Sequence, residues 1–151
     1  MSKTLIVAIA ALRNETGGVH FVNGKKSILI ADADRALVKV IAMRCQFLGL
    51  QPIKAYDART AFELILEYSP DIVCVDATMQ ANGMTICEVL SQDDDYSKIP
   101  AIVLTNEPAS EKLARQCGDM CAYYVQKTAN IQNSIEPVVF ELVDLAPVSY
   151  P

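Results

Sequence analysis

The sequence is short of the residues that many site chemistries draw on. It has a single histidine, His20, so no second imidazole is available to build a hydrolytic centre or a zinc site around it. It has no basic excess: 13 lysines and arginines stand against 18 aspartates and glutamates, a net charge of −5. A surface that tracks nucleic-acid phosphates needs clustered positive charge, so direct nucleic-acid binding is not expected. No run approaches the ~20 consecutive apolar residues that span a bilayer. Residues 5–12, LIVAIAAL, sit at the short end of a signal-peptide core and are closed at once by Arg13, so neither a membrane span nor secretion is expected. Cysteines number five, an odd count lying mostly inside apolar runs. Only Cys117 and Cys121 are close together, with no second pair and no histidine beside them. Cysteine therefore reads as a small hydrophobe in a reducing cytoplasm, with neither disulfides nor a cysteine metal site.

What is present is apolar and regular. The chain has 151 residues, 52% of them hydrophobic, enough for one domain with a sizeable core. Residues 1–25 stand apart as an N-terminal extension, with NETGG and Asn23-Gly24 breaking the apolar pattern. Such a segment fits the outside of the domain or an arm in a dimer, and the Asn-Gly pair favours a hairpin turn. From residue 26 onward, short apolar runs alternate with helical patterns. Strands are predicted over 27–31, 52–56, 72–75, 101–104 and 122–125. Helices are predicted to follow them, the first with Leu37, Val40, Ile41, Cys45 and Leu48 on one face and Gly49 suited to its C-cap. Asp57 is placed to N-cap the second helix and Pro70 to stop it. A last helix is expected roughly over 131–145. Pro137 fits its first turn if Asn133 or Ser134 is the N-cap, and must kink it if the helix begins earlier. Asp93, Asp94 and Asp95 read as a solvated loop.

Five strands alternating with five helices predict an α/β fold with a parallel sheet covered on both faces. With right-handed crossovers this is the flavodoxin-like, doubly wound (βα)5 arrangement, strand order 2-1-3-4-5. The domain is taken as 26–145, with 146–151 as a C-terminal tail. The first strand then has neighbours on both sides, which leaves no edge for a hairpin from the N-terminal segment.

In such sheets the chemistry lies beyond the carboxyl ends of the strands. The first strand runs into Asp32-Ala33-Asp34, the third into Asp76, the fourth into Thr105 and the fifth, through Gln126, into Lys127. Two acids, a hydroxyl and an ammonium are thus delivered to one crevice. The chemistry this suits is phosphoryl transfer. A carboxylate can act as nucleophile and form an acyl phosphate, a second can help hold Mg²⁺, and the threonine and lysine can bind phosphoryl oxygens.

On the stretches ILIADAD, GLQPIKAYDARTAFELILEYSPDIVCVDATM, IPAIVLTNE and AYYVQKT, residues 26–145 resemble the receiver domain of bacterial two-component response regulators. The resemblance implies a signalling domain, not an enzyme with a substrate of its own. It makes Asp76 the phosphoacceptor, Asp32 part of the acidic Mg²⁺ pocket, and Lys127 the partner of the phosphoryl group. It makes Thr105 the switch hydroxyl and Tyr124 the switch aromatic. The main-chain carbonyl of Thr78 falls where the family supplies a third metal ligand, beside Asp32 and Asp76. Thr78 and Glu107 fall where the family tunes dephosphorylation. It implies a sensor histidine kinase or phosphotransfer protein as donor, an output partner the sequence does not identify, a homodimer as one assembly, and a cytoplasmic setting.

The active edge departs from that pattern. Ala33 stands where the family has a second acid that touches the metal, so weak Mg²⁺ binding is expected. Gln80 and Thr128 replace prolines, the latter a cis-proline, so a trans bond is expected after Lys127. Asn106 replaces a small residue next to Thr105 and is expected to crowd the phosphoryl site. These changes raise a second reading, a pseudo-receiver that keeps the fold as an interaction module without efficient phosphorylation. A third takes Asp32-Ala33-Asp34 as the D-x-D of a haloacid-dehalogenase-like phosphatase, with Asp32 as nucleophile and Asp34 as general acid. It leaves Asp76 without a role.

Overall fold

Ser27–Ala31, the first strand (β1), is buried at all five positions. A strand with no solvent face must lie inside a sheet covered on both sides, and the computed structural model of the chain places it there. The structure describes residues 25–117 and 120–143, apart from the side chains of Gln116 and Cys121. The N-terminal segment with His20 and Asn23-Gly24, the glycine at 118 and the tail fall outside the described residues.

After β1 come α1 (Arg35–Phe47), β2 (Gln51–Ala55), α2 (Ala58–Tyr68), β3 (Ile72–Asp76), β4 (Gln80–Ala81), β5 (Met84–Thr85) and α3 (Ile86–Ser91). A single 3₁₀ turn at Tyr96–Lys98 leads to β6 (Ala101–Thr105), α4 (Glu111–Cys117), β7 (Cys121–Gln126) and α5 (Ile131–Val143). The main sheet is parallel with the order β2-β1-β3-β6-β7. Counting only its own strands, this is the 2-1-3-4-5 order expected. Ile28 pairs with Pro52 on one side and with Ile72 on the other, so β1 has no free edge.

Period-two alternation divides the core between the two faces of the sheet. Ile28, Ile30, Ile72, Cys74, Ile102 and Leu104 pack against Val38, Ile41 and Cys45 of α1 and Ile135 and Val139 of α5. Leu29, Ala31, Val73, Val75 and Val103 pack against Phe62 and Ile65 of α2, Ile86 and Leu90 of α3, and Leu113 of α4. The four cysteines whose side chains are described are buried and unpaired by disulfides. Burial pushes the Cys45 thiol up to about 12.

Local signals set the helix ends. Asp34 caps α1 by accepting from the N–H groups of Ala36 and Leu37, and Asp57 caps α2 through Thr60 N–H. Thr85 and Glu88 form a reciprocal capping box on α3. Gly49, at φ +92°, turns the chain out of α1. Asp93 accepts from the N–H groups of Asp95 and Tyr96, which makes the triple-acid loop a tight turn.

One feature differs from the sequence reading. Gln80–Ala81 and Met84–Thr85 form a small antiparallel hairpin, closed by Asn82 and Gly83 at φ 53° and 78°. Two successive positive-φ residues are the signature of a type I′ turn, for which Asn-Gly is the favoured pair. α5 begins at Ile131, the start expected from the sequence, so of the two placements open for Pro137 the helix interior is the one found. Proline removes the donor that the Asn133 carbonyl would otherwise receive. Both residues are exposed, so water can take the place of the missing N–H.

Candidate functional site

The register of the sheet brings the strand ends together. Ala31 pairs with Val75, so Asp32 and Asp76 emerge side by side from β1 and β3. Asp32 N–H is held by the Ala55 carbonyl at 3.2 Å, and Ala77 N–H by the Leu104 carbonyl at 2.8 Å. Lys127 N–H is held by the Thr105 carbonyl at 2.8 Å. Each functional residue is thus tied through its backbone to the next strand before its side chain does anything.

Lys127 joins the two acids. Its Nζ lies 2.7 Å from Asp32 Oδ2 and 3.4 Å from Asp76 Oδ1. The side chains of Asp32 and Asp76 are only 4% and 13% exposed, so these charges interact with little water between them. Burial pulls the Lys127 ammonium toward the neutral form, but its short polar contact with Asp32 and the charges of both carboxylates outweigh that, and its pKa lies above the ordinary lysine value.

Asp32 Oδ1 accepts from Asp34 N–H at 2.9 Å. Asp32 Oδ2 is shut from water and lacks a well-aligned hydrogen-bond donor. Its contact with Lys127 at 2.7 Å is an ion pair of short distance and poor alignment, and Coulomb attraction depends on distance more than on angle. An ionised buried oxygen with spare lone pairs beside a second carboxylate is the donor chemistry a hard divalent cation takes. Asp32 and Asp76 fit Mg²⁺ in that respect. Asp34 does not join them, because its Oδ1 is engaged by two N–H groups of α1, at 3.0 and 3.1 Å. That engagement gives Asp34 a helix-capping role.

Asp76 has a second neighbour. Thr78 N–H lies 3.2 Å from Asp76 Oδ1, and Thr78 Oγ1 lies 3.3 Å and 3.1 Å from the two carboxylate oxygens. The exposed Thr78 therefore sits over the acid that sequence reasoning singles out. On this side a cavity of about 220 Å³ is lined by Ala77, Thr78, Thr105, Asn106 and Glu107, among others. Thr105 is at the site, but its hydroxyl is turned into its own loop. It donates to the Glu107 carbonyl and accepts from Glu107 N–H, both at 3.0 Å. Asn106 is exposed, and its carbonyl accepts a long bond of 3.5 Å from Gln126. Tyr124 is half-buried against the core face formed with α2, α3 and α4. The peptide after Lys127 is trans.

The chain matches no family model. It is similar to the polar-differentiation response regulator DivK of Brucella anthropi, with 25% identity over 122 residues that cover 79% of this chain and 98% of DivK. DivK of Brucella ovis matches over the same span at the same identity. Among solved structures, a chemotaxis response regulator of Vibrio cholerae superposes with a TM-score of 0.67 at 18% identity, covering 79% of this chain and 99% of that one. The phosphorylated cyanobacterial phytochrome response regulator RcpA gives a TM-score of 0.67 at 18% identity, covering 82% and 97%. The chain has the fold of these receiver proteins and is similar in sequence to response regulators over most of its length.

In this fold, the crossed strand order is what makes Asp32 and Asp76 neighbours, although 44 positions separate them in the sequence. The small hairpin after β3 begins at Gln80, two residues beyond Thr78. It is the element after Asp76 that sequence reasoning missed, and Asn82-Gly83 was the signal for it. No helix among the described residues is long and apolar enough to cross a membrane.

Proposed function

We propose that this receiver accepts a phosphoryl group on Asp76 from a phosphohistidine of a sensor kinase or phosphotransfer protein, in the cytoplasm. A carboxylate oxygen of Asp76 forms the new O–P bond as the P–N bond to the donor imidazole breaks, and the imidazole nitrogen takes up a proton. The product is an acyl phosphate. The observation that carries this reading is Lys127 bridging Asp32 and Asp76 beside a cavity of about 220 Å³ that Thr105 helps to line. Lys127 would move its ion pairing onto the phosphoryl oxygens. Thr105 would release the Glu107 loop to donate its hydroxyl, and Tyr124 would repack with it, changing the face offered to an output partner. A pseudo-receiver reading keeps one specific support, the Thr78 side chain lying against both oxygens of Asp76.

Mg²⁺ would be held by Asp32, Asp76 and the Thr78 carbonyl, and would supply positive charge against the phosphoryl oxygens. Beryllofluoride with Mg²⁺ mimics the phosphorylated carboxylate and separates the two readings. Amide resonances of Asp76, Thr105 and Tyr124 are expected to shift together. Spectra that stay unchanged would leave the pseudo-receiver.

Ala33→Asp is expected to strengthen Mg²⁺ binding by on the order of tenfold, because affinity for hard cations rises with the number and charge of oxygen ligands. Asp34→Ala should leave the metal affinity near wild type, and should cost about 1 kcal/mol of stability as a lost helix cap. An NMR titration of Mg²⁺ into the three proteins checks both. If wild type binds as tightly as Ala33→Asp, and Asp34→Ala alone loses the metal, position 33 is not the determinant.

A further inference from the structure

Away from the carboxyl edge, α1 carries an apolar stripe that the sheet does not use. Val40, Met43 and Phe47 are 40%, 61% and 58% exposed, and their spacing of three and four puts them on one face of the helix. With Arg44 of α1 and Gln132 of α5 they line a groove of about 510 Å³. Arg44 is paired with Glu136 at 2.8 Å. Gln132 Oε1 is shut from water without a hydrogen-bond donor. The groove is therefore apolar along α1. An occupant with apolar side chains matches it.

We propose that the groove is the docking site of this chain's own N-terminal segment, residues 5–12. That segment, LIVAIAAL, is apolar throughout, and β1 has no edge left for it to pair with. The chain also arrives in the right place. The Lys26 carbonyl accepts from Gln51 N–H at 2.8 Å, so the segment joins the domain beside the end of α1 that carries Phe47. Residues 13–24 form the connection, and their span of up to ~40 Å exceeds the ~20 Å length of α1. Tethering at that distance gives an effective concentration in the millimolar range, which favours the chain's own segment over a second copy. The inference does not depend on the phosphoryl chemistry.

The test uses the full chain with p-benzoylphenylalanine in place of Met43. Irradiation should give an intramolecular cross-link that maps to residues 5–12, with a yield unchanged on dilution and severalfold lower when Leu5→Glu and Ile9→Glu are added. A cross-linked dimer whose yield rises with concentration would instead make a second copy the occupant and overturn the proposal. Cross-links confined to other parts of the chain, or none, would also overturn it. Because the photoreactive residue could itself disturb the groove, the Met43 methyl resonance of the otherwise unchanged protein is compared with and without Leu5→Glu and Ile9→Glu. It should shift, and an unmoved resonance contradicts docking.

Discussion

Lys127→Met is expected to destabilise the domain by about 3 kcal/mol or more, a large share of the ~5–15 kcal/mol that holds a domain together. The reason is the carboxylate left behind. Asp32 is 4% exposed, and its Oδ2 has Lys127 at 2.7 Å but no aligned hydrogen bond. Removing one partner of a buried pair leaves the other charge desolvated and uncompensated. The contact with Asp76 at 3.4 Å is longer, and its loss matters less. Asp32→Asn combined with Lys127→Met should recover much of the deficit, because the stranded charge is then gone. Urea melts of the three proteins decide it. A single variant as stable as wild type would mean that the pair contributes nothing.

The same pair sets an alkaline limit. The folded pKa of Lys127 is raised, so the charged form is the one folding favours. Its contribution is fully present below the ~10.5 of an unfolded lysine and is lost as the pH climbs through the higher folded value. The stability gap between wild type and Lys127→Met should therefore narrow only above that range.

Much of this was legible in the sequence, because burial on both faces leaves a strong mark. SILIA and IVCV are continuous apolar runs, each ending at an acid, and the structure places them side by side at the centre of the sheet. The strand order followed from alternation and handedness rules, and with it the meeting of Asp32, Asp76 and Lys127. What was not legible depends on local hydrogen bonding. Nothing in IVLTNE says that Thr105 engages its hydroxyl with the backbone of Glu107. Nor does DATM show Thr78 reaching both oxygens of Asp76. The hairpin at Asn82-Gly83 was written plainly, but its strands have two residues each, too short for an alternation pattern. The start of α5 was legible at Ile131, and the apolar spacing of Ile131, Ile135 and Val139 against the sheet holds the helix across Pro137.

The role of Asp34 shows how one residue type serves different ends at neighbouring positions. Asp32 and Asp34 look alike in the sequence. Asp32 is buried at 3% exposure and faces Lys127, while Asp34 is outside the crevice and caps α1 through two N–H groups. Two positions along an extended chain would put both side chains on the same side, but the chain has left the sheet by then. The helix cap, not strand alternation, decides where the second carboxylate goes.

The assignment of Asp76 as phosphoacceptor is the claim on which the functional account rests. Asp76 is the acid at the end of the central strand β3, 3.4 Å from Lys127, and its neighbours Ala77 and Thr78 line the cavity shared with Thr105. Asn keeps the shape of the side chain but cannot form an acyl phosphate, so Asp76→Asn should lose the reaction and keep the fold. The direct measurement is intact mass after incubation with acetyl phosphate and Mg²⁺, on wild type and Asp76→Asn, with melts to confirm that both are folded. One added phosphoryl group on wild type and none on Asp76→Asn is the predicted result. A group that persists on Asp76→Asn, or a folded wild type that takes none, would contradict it.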